Sequence, residues 1–324
     1  MGDISKDMQE TIGERTLKVA VSLAFHFLSW LWSRLQKLAG KEIPGTCVAL
    51  YYHAIRAEHR ARFATQMDTL TRLTKPVAGG MTQPLPTGTR HATVMFHDAF
   101  ESVCDNALPE LARRRIPSTL FVPSGCLGKR QQWISDETHT DFSEVVLDAD
   151  RLKALDGEFV AIGSHTVSHA DLSVLSEKEA EKELTESKVN LELILGRPVE
   201  LFAFPYGRCT EALAQLSKRK GYRRVFTIQQ KLAFVNPEEF VTGSFMTSPT
   251  DWTLEFRLKL LGAYRWLAPV HQLKRRMLFA LGSCSFRAKH DGRIPRKMCS
   301  LDAPVVENRT GRGTNPGASN PQQS

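Results

Sequence analysis

Two histidines and one aspartate of this chain have the residue types and the spacing of a metal site. His165 and His169 are four residues apart, so both rings can point the same way on a helical turn. Asp98 lies just beyond the apolar run 93–96, which predicts a buried strand. One carboxylate and two imidazoles leave metal positions open for water, whose pKa a divalent ion lowers. Together the three residues predict a hydrolytic metal site, whereas the histidine spacing alone also fits surface or capping roles.

Short apolar runs and helical patterns alternate beyond residue 45, which indicates a parallel sheet with helices between its strands. Strands are expected at 47–52, 93–96, 118–122, 158–162, 201–204 and 224–228. Helices are expected at 63–73, at 106–113, after a capping box that begins at Ser176, and between the last two strands. This many units favours a barrel over an open sheet. Barrel enzymes carry their chemistry on the loops that follow the strands, and Asp98, His165 and His169 lie on such loops.

Three motifs of the chain resemble those of the polysaccharide deacetylases, which form carbohydrate esterase family four. The motifs are Thr93–Asp98, Gly163–His169 and Phe202–Gly207, and they occur in the family's order and spacing. The resemblance covers the chain from Cys47 to Trp266 and implies an α/β fold, a distorted and often incomplete (β/α) barrel. It also implies metal-dependent removal of N- or O-acetyl groups from sugars, with an acetylated amino-sugar glycan as the substrate.

The resemblance also implies roles for individual residues in the catalytic centre. Carried over position by position, it assigns the metal to Asp98, His165 and His169. Zinc is the ion that this donor set favours, and other divalent cations also fit it. Tyr206 corresponds to a residue whose backbone N–H donates to the developing oxyanion, a contribution that is often the largest single catalytic effect.

Two further residues are candidates for contact with the substrate. Pro205 shapes the turn that carries Tyr206, and an ordinary turn proline would explain its presence equally well. Trp252 lies in a predicted loop and could stack on a sugar ring, although a single loop tryptophan is weak evidence for a sugar site.

The first motif departs from the family pattern at the general base. His97 stands where the family usually has the aspartate that acts as base, and Ala99 replaces a glycine that permits unusual backbone angles. The arginine that tethers the base in many members is Ala203 here, and the histidine of the family's last motif has no clear counterpart. Two functions therefore stay open. The chain is a working deacetylase in which His97 accepts a proton from the attacking water, or a catalytically weak relative that serves as a carbohydrate-binding or membrane-associated scaffold.

The chain is expected to divide into an N-terminal apolar helix at 1–44, the barrel at 45–268 and a basic tail at 269–324. The apolar run 19–32 is flanked by cations, is too short to span a bilayer and is followed by no small-residue cleavage site. Residues 15–38 are therefore predicted to form a helix on a membrane surface, with a helix docked on the barrel as the alternative. The protein would then be membrane-associated or cytoplasmic, without a cleaved signal peptide.

The net charge of +8 belongs mainly to the tail. Residues 269–324 contain ten Lys or Arg against three Asp or Glu, so the rest of the chain is nearly neutral. Nucleic acid is not expected as a partner, because no zinc-finger, homeodomain or RNP-type signature accompanies the charge. The six cysteines show no paired spacing and are expected to be buried thiols. The Pro, Gly, Asn and Gln content from residue 301 onward predicts disorder.

Overall fold

The fold consists of parallel strands that alternate with helices. A computed structural model of the protein describes residues 11–273, apart from residues 156, 158 and 272, so the predicted disorder beyond residue 301 lies outside the described residues. The strands are β1 (Thr46–Tyr52), β2 (Lys75–Pro76), β3 (Arg90–Phe96), β4 (Ser118–Val122), β5 (Val160–Ser164), β6 (Leu201–Ala203), β7 (Arg224–Thr227), β8 (Val241–Gly243) and β9 (Phe245–Met246). The helices are α1 (Ile12–Leu38), α2 (Arg60–Leu73), α3 (Leu108–Arg113), α4 (Ala149–Leu155), α5 (Glu177–Leu195), α6 (Glu211–Arg219) and α7 (Thr253–Leu260).

The sheet is a nearly closed parallel barrel. Its strands pair in the order β8-β7-β6-β5-β4-β3-β1-β9, and β2 pairs with β3 outside this path. β8 and β9, which lie at opposite ends of the path, are consecutive in the chain and are separated by Ser244 alone. The segment 241–246 therefore pairs with β7 through its first half and with β1 through its second half. This segment brings the two edges of the sheet together, and the predicted barrel is confirmed.

The strands are buried on both faces, as expected for a parallel barrel covered by helices. In β1 the alternate residues Cys47, Ala49 and Tyr51 belong to a cluster drawn from strands around the barrel, which fills its interior. Their neighbours Val48, Leu50 and Tyr52 pack outward against the helices. This alternation with a period of two continues in β3, where Met95 points inward and Val94 and Phe96 point outward.

All six strands that the sequence predicts are present, and each ends within two residues of its predicted end. The capping box at Ser176 is also present, and the helix that it opens ends at Gly196 in the left-handed conformation. The helix expected at 106–113 begins earlier, as a π-helical turn at Val103–Ala107 that continues into α3. The sequence does not predict β2, β8 and β9, because two or three residues are too few to show an alternating pattern.

α1 lies against the outside of the barrel through one of its faces. Val19 and Ser22 are buried there, and the indole Nε1 of Trp266 donates a hydrogen bond to Ser22 Oγ at 2.9 Å. Nearer the start of the helix, the guanidinium of Arg15 pairs with the carboxylate of Glu255 on α7 at 2.6 Å. The predicted helix is confirmed, and one of its faces is docked. Within the described residues, none of the helices combines the length and the apolar character needed to cross a membrane.

Candidate metal centre

Two strands that flank β4 bring a carboxylate and two imidazoles together at their carboxyl ends. Asp98 lies two residues beyond β3, His165 directly follows β5, and His169 lies four residues further on. Asp98 Oδ1 is 3.5 Å from His165 Nε2 and 3.2 Å from His169 Nε2. One donor atom from each residue lies within 4.8 Å of the other two, and all three side chains are buried. The structure thus brings the three predicted ligands together.

The protonation states of Asp98 and His165 suit a bound cation. Nδ1 of His165 donates to the Ala203 carbonyl at 2.7 Å, so that its Nε2 lone pair faces Asp98. Burial and then His169 lower the pKa of His165 to about 3, which keeps its imidazole neutral. Burial opposes the ionisation of Asp98, but the two histidines hold its pKa well below the ordinary value. The buried Oδ1 of this carboxylate has no well-oriented hydrogen-bond donor among the described residues, and an oxygen and nitrogen donor set suits zinc and related divalent ions.

The loop between the two histidines is braced by α5. The carboxylate of Glu183 accepts hydrogen bonds from the backbone N–H of Val167 at 2.7 Å and of Ser168 at 3.1 Å. It also accepts one from the Ser168 hydroxyl at 2.8 Å. One turn further along the helix, Ser187 Oγ donates to the Thr166 carbonyl at 2.8 Å. These bonds fix the backbone that sets the relative orientation of the two imidazoles, and neither Glu183 nor Ser187 is among the site residues predicted from the sequence.

His97 points into the barrel interior, directly beside the ligand residues. Its backbone N–H continues the ladder of β3 and donates to the Tyr52 carbonyl at 2.9 Å. Its ring stacks on Tyr51 with centroids 4.6 Å apart and lies 4.9 Å from His165 and edge-on to His53 at 5.7 Å. Burial, followed by His165 and His53, lowers the pKa of His97 well below its ordinary value. The imidazole is therefore neutral, and its buried Nε2 has no hydrogen-bond partner in the described part of the chain.

The third motif forms a tight turn against His169. Pro205–Gly207 is a single 3₁₀ turn in which Pro205 is buried and Tyr206 has φ 58°, in the left-handed region. Among the described residues, the backbone N–H of Tyr206 has no acceptor. The phenol ring meets His169 edge-on at 5.0 Å, and burial followed by the charge of Asp98 raises the pKa of Tyr206. A free N–H thus lies in the turn that covers one side of the candidate ligands.

The sequence indicates one tryptophan, Trp252, as a possible substrate contact, and the structure brings a different one, Trp133, to the candidate ligands. Trp252 immediately precedes α7, where the guanidinium of Arg15 lies over its ring at 4.6 Å, so its contact with substrate stays a prediction. Trp133, which the sequence does not predict in the site, stacks on His169 with centroids 4.3 Å apart and an interplanar angle of 18°. Trp133 lies in the irregular segment between β4 and α4, and no motif or periodic pattern in that segment indicates a part in the site.

The family model described as polysaccharide deacetylase matches residues 85–225. This segment is similar to the polysaccharide deacetylase family. It contains all three candidate ligands together with His97 and Tyr206. A protein of Bacillus subtilis (strain 168), YxkH, whose name refers to polysaccharide deacetylases, is 21% identical over 199 residues. That match covers 58% of this chain and 66% of YxkH, so the chain aligns with slightly less than two thirds of this relative.

Solved structures of deacetylases share the barrel. IcaB from Ammonifex degensii superposes with a TM-score of 0.54 at 21% identity, over 66% of this chain and 97% of IcaB. The Streptococcus pyogenes deacetylase PplD, solved in complex with acetate, superposes with a TM-score of 0.55 at 18% identity, over 67% of this chain and 99% of PplD. At these identities the likeness establishes the fold, which is a deacetylase-type (β/α) barrel.

Proposed function

We propose that this protein is a metal-dependent hydrolase that removes acetyl groups from an N- or O-acetylated polysaccharide, with an acetylated amino-sugar glycan as substrate. The observation that carries the proposal is the buried set of Asp98, His165 and His169 at the carboxyl ends of β3 and β5. Active sites of (β/α) barrels lie at this end of the strands. The family match over residues 85–225 supports deacetylation as the reaction.

Each residue of the centre has a distinct part in the proposed reaction. Asp98, His165 and His169 hold the divalent ion, and zinc is the ion that we propose for this set. When bound, such an ion lowers the pKa of a coordinated water and polarises the acetyl carbonyl. The backbone N–H of Tyr206 donates to the oxygen on which negative charge develops, and Pro205 holds the turn that presents this N–H to the substrate.

His97 is the proposed general base. Its neutral imidazole can accept a proton, and the buried Nε2 has no competing partner among the described residues. Its lowered pKa makes it a weak base, and an imidazole nitrogen does not occupy the position of a carboxylate oxygen. Because a misplacement of about 1 Å can cost a hundredfold in rate, we expect activity that is present but low. The alternative function is a scaffold that binds carbohydrate without turning it over.

The experiment is acetate release from acetylated amino-sugar oligomers, measured with and without added zinc. The protein should release acetate slowly and only with the metal, and Asp98→Ala should abolish both metal binding and turnover. His97→Asp should raise turnover. His97→Asn should abolish it, because the Asn side chain has nearly the same volume as Asp but cannot act as a base. Metal binding without acetate release from any oligomer, together with no gain in His97→Asp, would replace the enzyme proposal with the scaffold.

We also propose that α1 attaches the protein to an anionic membrane surface. Large apolar side chains are exposed on the helix, away from the docked face: Ile12, Leu17, Val21, Leu23, Phe27, Leu28, Trp30, Leu31, Trp32, Leu35 and Leu38. Contiguous apolar surface of this kind is unusual on a solvated helix. Lys18, Arg34, Lys37 and Lys41 lie along the same segment, and cations beside tryptophans favour the headgroup region of anionic bilayers.

Vesicle flotation tests this attachment with the full chain. The protein should float with phosphatidylcholine vesicles that contain phosphatidylglycerol, and less with phosphatidylcholine alone or in high salt. Replacing both Trp30 and Trp32 with Ser should prevent flotation. Leu193→Ser is the matched control, because Leu193 is an exposed apolar residue on α5. Unchanged flotation of the double variant contradicts the proposal. A parent protein that is a dimer and dissociates in the double variant also contradicts it, because a second copy would then cover the apolar face of α1.

A further inference from the structure

His169 lacks the hydrogen bond that fixes its neighbour His165. Nδ1 of His165 donates to the Ala203 carbonyl at 2.7 Å, whereas the buried Nδ1 of His169 has no partner among the described residues. Metal-binding histidines usually donate their second ring nitrogen to a carbonyl, a carboxylate or water, which fixes the orientation of the ring. Among the described residues, contacts other than a hydrogen bond therefore hold the orientation of His169.

Two aromatic rings hold the imidazole of His169 instead. The indole of Trp133 lies nearly parallel to it at 4.3 Å, and the phenol of Tyr206 meets it edge-on at 5.0 Å. Rotation of the imidazole about its Cβ–Cγ bond would break the parallel contact with Trp133. Stacked aromatic pairs contribute beyond the area that they bury, so the indole selects one ring orientation among those that the missing hydrogen bond leaves open.

Trp133 is itself fixed by the segment that carries it. Its ring lies parallel to that of Phe100, with an interplanar angle of 13° and centroids 6.2 Å apart. Two residues earlier, the buried amide of Gln131 donates from Nε2 to the Phe142 carbonyl at 2.8 Å and accepts from the Ile134 N–H at 2.8 Å. These bonds tie the two sides of the irregular segment together, so that the indole is presented to His169 by an internally bonded loop.

We propose that Trp133 is the positioning residue of the metal ligand His169. By stacking on the imidazole it keeps Nε2 directed towards Asp98, in the place of the absent hydrogen bond at Nδ1. A bound cation draws electron density from the imidazole, and an indole face is the best aromatic partner for such a positively polarised group. The stack is therefore stronger when the metal is bound, and Trp133 raises metal affinity. This inference rests on the proposed metal site.

The test is the zinc affinity of the metal-free protein, measured by competition with a chromophoric chelator. Loss of a group that orients a ligand typically costs about 10- to 100-fold in metal affinity, so Trp133→Ala should bind zinc at least about tenfold more weakly. Trp133→Phe retains a stacking ring and should stay within about threefold of the parent. Leu193→Ala, which removes an exposed apolar side chain from α5, should bind zinc as the parent does.

A spectroscopic readout separates positioning from general damage to the fold. Co²⁺ or Ni²⁺ bound beside a stacked indole should quench part of the tryptophan emission, and this quenching should be absent in Trp133→Phe, which still binds the ion. Parent-like zinc affinity of Trp133→Ala overturns the inference and leaves the metal site standing. Equal losses in the Ala and Phe variants overturn ring stacking as the cause. A parent protein that binds no divalent ion overturns the proposed function, and the inference with it.

Discussion

Replacement of Glu183 by Ala should loosen the loop that carries both histidine ligands and should destabilise the protein. The carboxylate accepts three hydrogen bonds from Val167 and Ser168, at 2.7, 3.1 and 2.8 Å. A hydrogen bond to a charged group contributes about 1.5–3 kcal/mol. Water can replace the partner of the two exposed donors of Ser168, whereas the part-buried N–H of Val167 loses its partner. We therefore expect the free energy of unfolding to fall by about 2–3 kcal/mol, which corresponds to one hydrogen bond to a charged group plus a fraction of the other two.

Urea unfolding measures this loss, and Glu186→Ala on the same helix is the matched control. Glu186 is exposed, and among the described residues its one polar contact is an ion pair with Lys182 at 3.9 Å, so its removal should cost less than about 0.5 kcal/mol. Glu183→Ala should also lower the melting temperature by about 5–10 °C and weaken zinc binding. Glu183→Gln, whose amide oxygen can still accept, should fall between the parent and the Ala variant. Equal stabilities of Glu183→Ala and Glu186→Ala would refute the bracing role of this carboxylate.

Two further substitutions test the packing and the electrostatics around the site. Gly163→Ala should cost about 1–3 kcal/mol in thermal unfolding, because its Cβ would lie 2.5 Å from the Phe121 ring, and an unchanged melting temperature would argue against so close an approach. Arg114→Ala should cost about 1 kcal/mol at neutral pH, because the guanidinium bonds to Asp68 and Glu110 and holds the pKa of both carboxyls below their ordinary values. A lowered carboxyl pKa stabilises the fold above the unfolded value and ceases to do so as pH falls through the folded value. The difference between parent and variant in urea unfolding should therefore shrink below about pH 4, and a difference that is constant with pH would contradict this account.

The sequence predicts the barrel because each long strand contains enough apolar residues to be recognised from its own local pattern. β1, β3 and β4 are five to seven residues long and are buried on both faces, which gives a continuous apolar run. β8 and β9 span only Val241–Gly243 and Phe245–Met246. Their pairing depends on partners elsewhere in the chain, on β7 and β1, and a local pattern does not contain that information. The segment that closes the barrel is therefore the part that sequence reasoning misses.

The site residues also divide into those that a local sequence pattern predicts and those whose contacts depend on distant parts of the chain. Asp98 and His165 could be predicted because each follows a visible strand, and the ends of neighbouring parallel strands meet at one edge. Trp133 reaches His169 from an irregular segment, and no local property of the sequence specifies that contact. Ser187 gave a weak signal, because it interrupts the apolar stripe that Ala180, Leu184 and Leu191 form on α5. A polar residue inside an apolar stripe indicates a buried partner, which here is the carbonyl of Thr166.

The backbone of the site explains why these supporting contacts are needed. Of the seven non-glycine residues with positive φ in the described chain, four lie in the three motifs and a fifth directly follows the first motif: Asp98, Thr166, His169 and Tyr206, and then Ala99. A left-handed conformation costs a residue with a Cβ roughly 1–2 kcal/mol, so together they cost an amount comparable to the whole stability of many domains. Such backbone persists only where the surroundings over-determine it. The carboxylate of Glu183, the hydroxyl of Ser187 and the ring of Trp133 all contact the turn at residues 166–169. The side chains that support this turn are for that reason as specific to the site as the ligands themselves.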